Sequence, residues 1–112
     1  MNKYKCPFCK RRIKTFNALC SHIRTRHDRS LVVLREEEYS VYLELKSRKM
    51  NPCWPSTLRW GLEKSPGYKW SLQRCWAFLE RVGYSLREGG FSLKELRVVR
   101  KSDGIIIVRV IE

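Results

Sequence analysis

An α+β chain of two modules, a short ββα unit followed by a small helical domain that closes on a β-hairpin, is predicted by three observations. Cys6-Pro7-Phe8-Cys9 is followed, after twelve residues, by His22-Ile23-Arg24-Thr25-Arg26-His27. Between residues 71 and 83 the apolar side chains Leu72, Cys75, Trp76, Leu79 and Val82 recur at helical spacing. Two runs rich in Val and Ile, 96–100 and 105–111, flank Lys101-Ser102-Asp103-Gly104, and Asp-Gly between such runs is a hairpin turn.

The first observation carries chemistry. Thiols two residues apart on a hairpin can face imidazoles on successive turns of a helix, and Zn(II) takes four such S and N ligands in a tetrahedron. Tyr4, Ile13 and Leu19 stand where such a unit needs its apolar filling. With these residues in place, 1–29 resembles a Cys2His2 zinc finger, with Ile13 where Phe is usual. The resemblance implies one structural zinc held by Cys6, Cys9, His22 and His27. A segment this short buries too little surface to fold unaided, so metal binding, about 10–16 kcal/mol in such peptides, supplies its folding free energy.

In the finger, Thr15 is placed to cap a helix over 16–27 that ends near Asp28-Arg29-Ser30. Residues 30–34 form the junction, where Leu31-Val32-Val33-Leu34 is apolar enough to dock on the second module and make the junction semi-rigid. Residues 35–50 read as a helix with Glu36-Glu37-Glu38 at its positive end and Lys46, Arg48 and Lys49 at its negative end. Alternating Tyr39, Val41, Leu43 and Leu45 offer a strand as the rival. Pro52 and Pro55 break it. Ser56 then starts a short helix to about Glu63, Ser65-Pro66-Gly67 makes a turn, and the amphipathic helix from Ser71 stops at Gly83. Ser92 with Glu95 forms a capping-box pattern that suggests a turn of helix before the hairpin. The four tryptophans are expected chiefly in the core, with Trp70 the ring to test for stacking on bases.

Helix, short helix, turn, longer helix ending Leu79-Glu80-Arg81-Val82-Gly83, then a basic hairpin: in this order residues 35–112 resemble a winged helix-turn-helix domain. That resemblance implies a recognition helix beginning near Lys69-Trp70-Ser71, with Gln73, Arg74, Ala77 and Arg81 outward. It also implies a wing offering Arg97, Arg100, Lys101 and Arg109. Gln and Arg suit base edges, and Ser71 suits a phosphate. In the finger the corresponding reading positions are Thr15, Asn17, Ala18 and Ser21, all short, so the finger is expected to anchor more than to read.

Charge points to the partner. The chain of 112 residues has a formal net charge of +13; residues 1–30 hold nine Lys/Arg against one acid and the rest fifteen against ten. Lys10, Arg11, Arg12 and Lys14 flank the finger hairpin, and Arg24 and Arg26 lie between the histidines. Such an excess favours a polyanion, because phosphate contacts release counterions. The expected function is nucleic-acid binding, with duplex DNA and transcriptional regulation in first place. A finger adaptor for a protein partner and an RNA-binding protein stand as alternatives, and homodimerisation is compatible with either. An enzyme is not expected, since both histidines are committed and no phosphate-binding glycine loop is present. No apolar run spans a bilayer and the N-terminus lacks a signal core. The expected location is therefore intracellular, in cytoplasm or nucleoid, or in the nucleus of a eukaryote. Five cysteines leave three beyond the ligands, an odd remainder unlike a secreted disulfide scaffold. Cys53 and Cys75 could form one disulfide. Small one-finger proteins of archaea and their viruses have a similar basic, Ile/Val-rich composition.

Overall fold

The computed structural model describes residues 4–49, 53–63, 70–102 and 104–111. Among these are four helices and seven strands, and every strand pairs antiparallel. The chain divides into two compact units, one built from residues 1–39 and 95–112, the other from 40–94.

The first unit opens with β1 (Tyr4–Lys5) and β2 (Arg12–Ile13), a hairpin that leads into α1 (Phe16–Arg26). Thr15 ends the hairpin in extended backbone, and its Oγ1 accepts from the Ala18 amide at 3.1 Å. That satisfies one donor left over at a helix start. Phe16, Leu19 and Ile23 are the buried positions of α1, one helical stripe. The stripe packs into a core with Cys6, Ile13, Leu31, Val33, Ile105 and Ile107.

Four of those core residues come from a three-stranded sheet in the order β3 (Leu31–Arg35), β7 (Ile105–Ile111), β6 (Glu95–Ser102). Residues 31–35 are thus a strand in register with β7, Val33 opposite Ile107 and Arg35 opposite Ile105. Residues on alternate positions of β7, Ile105 with Ile107 and Ile106 with Val108, are all buried. Both faces of that strand are therefore covered. The β6–β7 hairpin forms as predicted, but its register shifts between Val98 and Arg100.

α2 (Glu36–Ser47) follows β3 directly, which decides the strand-or-helix choice for that segment in favour of helix. Its acidic first turn faces the positive helix end, and the Oε1 of the buried Glu38 accepts from the Arg35 amide at 2.9 Å.

The second unit contains the later part of α2, then α3 (Pro55–Glu63), α4 (Leu72–Val82) and a small hairpin of β4 (Gly83–Ser85) and β5 (Phe91–Leu93). The Oγ of Ser71 caps α4 by accepting from the Arg74 amide at 3.1 Å. The helix stops before Gly83 as expected. The glycine is needed there for space: an added Cβ would lie 3.0 Å from the Ser92 carbonyl oxygen and 3.1 Å from that of Leu79. Residues 91–93 form a strand, so the capping-box pattern of Ser92 and Glu95 does not start a helix. The predicted Ser65-Pro66-Gly67 turn lies outside the described residues.

The core of this unit departs from the expected stripe. Cys75, Phe78, Leu79 and Val82 are the buried positions of α4, while Leu72 is 40% and Trp76 41% exposed. Only Trp70 is buried, at 5%; Trp60 is 61% exposed and Trp54 lies at 36% over the Gly89–Gly90 backbone. Core burial of the tryptophans therefore holds for one of the four. The physical reason is that Phe78, one position outside the predicted stripe, fills the interior against Trp70, with ring centroids 5.2 Å apart. Trp76 instead leans edge-on against Phe91.

Candidate metal centre and basic surface

The Cys6–Cys9 segment is folded by its own backbone. The Cys6 amide donates to the Arg11 carbonyl at 2.8 Å and the Lys10 amide to the Cys6 carbonyl at 3.0 Å, with Lys10 in the left-handed region at φ 62°. This tight loop turns both thiols toward α1. His22 comes from the middle of the helix, and His27 caps its end with an amide that donates to the Ile23 carbonyl at 3.0 Å.

The four side chains converge. Their ligand atoms all lie within 4.8 Å of one another, with Cys6 Sγ 3.3 Å from His27 Nε2 and Cys9 Sγ 3.2 Å from His22 Nε2. Tetrahedral zinc, with Zn–S near 2.3 Å and Zn–N near 2.0 Å, sets S···N separations of roughly 3.5 Å, so the donor set fits this ion. Two thiols and two imidazoles form a borderline-soft set that suits zinc better than a hard cation. A chance pair of thiols with unrelated surface histidines would not converge in this way.

Electrostatics favour the ligating forms at His22. Burial holds its pKa below the ordinary imidazole value, and the neighbouring His27 ring and the Arg11 and Arg26 guanidinium groups act in the same direction. Neutral imidazole is the form that binds a metal. Burial raises the Cys6 thiol, while backbone amides of Phe8 and Cys9 directed at its sulfur oppose that rise. Those amides are placed to stabilise a thiolate once an ion is bound. Cys6 itself is fully buried and belongs to the hydrophobic core, whereas Cys9 is exposed.

The predicted nucleic-acid residues fall into groups. Lys10, Arg11, Arg12 and Lys14 are exposed on the hairpin, and Arg24 and Arg26 are exposed on α1. Arg11 and Arg26 both act on His22, so hairpin and helix bring cations together beside the metal ligands. Asn17, Ala18 and Ser21 are exposed on α1, and Thr15 is exposed while its oxygen serves as the helix cap.

Elsewhere the predicted residues have structural contacts as well. On α4, Gln73 and Ala77 are exposed, Arg74 lies half-buried over the Trp70 ring at 4.5 Å, and the Arg81 Nε donates to the Ala77 carbonyl at 3.5 Å. Ser71 is the cap of that helix. Lys69 lies outside the described residues. On the C-terminal hairpin Arg97 and Lys101 are exposed, and Arg109 pairs with Asp28 at 3.1 Å. Arg100 donates to the Pro7 carbonyl, a contact that sequence reasoning did not anticipate because the two residues are far apart in the chain. Cys53 and Cys75 are buried and are not joined in a disulfide, and the half-buried Cys20 directs its thiol at the Val33 carbonyl. No described helix is long and apolar enough to cross a membrane. Compared with known proteins, the chain matches no family model, no curated protein and no solved structure.

Proposed function

We propose that this chain is a nucleic-acid-binding protein, a regulator that binds duplex DNA, in which a structural zinc stabilises a basic anchoring unit. The observation that carries the reading is the ββα unit itself. Six exposed cations, Lys10, Arg11, Arg12, Lys14, Arg24 and Arg26, surround a Cys2His2 ligand set with no acidic residue before Asp28. Zinc would be held by Cys6, Cys9, His22 and His27 and would supply folding energy, with all four positions closed by protein. The short side chains at Asn17, Ala18 and Ser21 reach few base edges, so phosphate contacts dominate.

Selectivity then needs a second element. In the winged-helix reading α3 and α4 are the helix pair and β6–β7 the wing. Gln73 and Arg97 are each exposed, as that reading requires, while Leu72 and Trp76 beside Gln73 give α4 an apolar outer face. That exposed face, together with Trp60, favours the adaptor reading, in which a protein partner covers it. For RNA, Trp70 is buried, so any stacking falls to Trp60 or Trp76.

A mobility-shift titration of the zinc-loaded chain on duplex DNA tests the leading reading. Log affinity should fall linearly with log salt, by about 0.9 per phosphate contact. Replacing Lys10, Arg11 and Arg12 together by Ala should weaken binding to all sequences alike and flatten the slope. Binding that is absent at low salt, or unmoved by salt, would refute it.

A further inference from the structure

The loop between the two thiol ligands is held from the far end of the chain. The Arg100 Nη1 donates to the carbonyl of Pro7, and its guanidinium lies 5.4 Å from the centroid of the Phe8 ring. Pro7 and Phe8 are the two residues between Cys6 and Cys9. Phe8 in turn packs on the ligand His27, with ring centroids 5.2 Å apart and planes tilted by 47°. One cation therefore touches the thiol loop directly and, through a single ring, one of the imidazoles.

A defect in β6 aims it there. Arg97 stands opposite Arg109 and Val98 opposite Val108, but the next pair is Arg100 with Ile107, so Val99 is an extra residue. In an unbroken strand side chains alternate, and Arg100 would share the face of Val98. The bulge reverses the alternation and places Arg100 on the face of its partner Ile107, which belongs to the core beneath α1 and the hairpin. Bulges commonly re-aim one side chain in this way. Val99, the residue left out of the ladder, is 44% exposed.

We infer that Arg100 is a positioning residue of the metal centre: it fixes the Pro7 carbonyl and the Phe8 ring so that Cys6, Cys9 and His27 are held in ligating geometry. The inference rests on the zinc reading of the four ligands. Arg100 makes no bond to the ion. Its guanidinium is planar, so it can donate in its plane to Pro7 while presenting a face to Phe8, a combination that a lysine ammonium lacks.

The test is metal release from the full chain. Zinc-loaded wild type, R100A, R100K and R97A are mixed with a chromogenic chelator, and cobalt-substituted samples are recorded in the visible and near ultraviolet. R97A removes the same charge from the same strand and face, and so separates charge from contact. R100A should release metal about five-fold faster, the factor matching one neutral-acceptor hydrogen bond of about 1 kcal/mol. It should also shift the cobalt ligand-field bands, with R100K intermediate and R97A like wild type. Tryptophan emission, unchanged in all four, verifies that the 40–94 unit is folded. Equal release from R100A and wild type, or equal acceleration in R97A, would overturn the inference while leaving the zinc reading intact. A wild-type chain that takes up neither zinc nor cobalt removes both.

Discussion

Cys53 shows how surroundings alone set a residue's chemistry. It is almost wholly buried, its amide and carbonyl both bond Phe91 at 2.7 Å, and burial with the nearby Cys75 raises its thiol to about 11. The sign of the consequence follows. The folded state keeps the proton while an unfolded thiol loses it near its ordinary value of 9.0, so the contribution to stability is complete below that pH and is lost as pH rises toward 11. At pH 8 iodoacetamide should leave Cys53 and Cys75 unmodified in the native chain and label all cysteines after denaturation. Mass mapping of rapid native labelling at Cys53 would contradict the structure. Glycines 89 and 90 show the same dependence on surroundings, since a Cβ on either would lie 3.2 Å from the Trp54 ring that covers their backbone.

At the scale of elements, signals confined to a few neighbouring residues were readable and signals that need a distant partner were not. Thr15 and Ser71 cap their helices because a hydroxyl three residues before an amide is a local fact. Replacing either by Ala should cost about 1 kcal/mol. For Ser71, the check is a urea transition followed by the emission of Trp70 and Trp76, and an unchanged midpoint would show that the cap is idle. The ligand set was equally legible, being fixed by spacing within one hairpin and one helix. β3 was not: Leu31-Val32-Val33-Leu34 lacks alternation because both its faces are largely covered, and its partner β7 lies at the other end of the chain. Burial on α4 misled for a similar reason. Spacing admits Trp76 and Phe78 to neighbouring stripes, and only packing against Trp70 selects Phe78. Ser92 and Glu95 matched a capping box, yet the pairing of β5 with β4 overrides that local preference.

For the molecule as a whole, the shared core matters most. Leu31, Val33, Ile105 and Ile107 pack with Phe16, Leu19 and Ile23, so the ββα unit does not own its interior. Metal removal should therefore disorder more than the ββα unit. With a strong chelator, hydrogen exchange should accelerate at the paired amides of β3 and β7 as well as in α1, and mass spectrometry of those peptides reads it. Protection retained in β3 and β7 after the metal is gone would mean that the sheet stands without it. The same pairing has a consequence for synthesis. A ribosome makes β3 early and β7 late, so the newborn N-terminal segment must wait, its apolar side chains uncovered, while every residue of the other unit is added. Closing so long a loop is slow compared with local folding. A nascent ββα unit that binds a metal before its distant strand arrives would hold the ion without a finished interior.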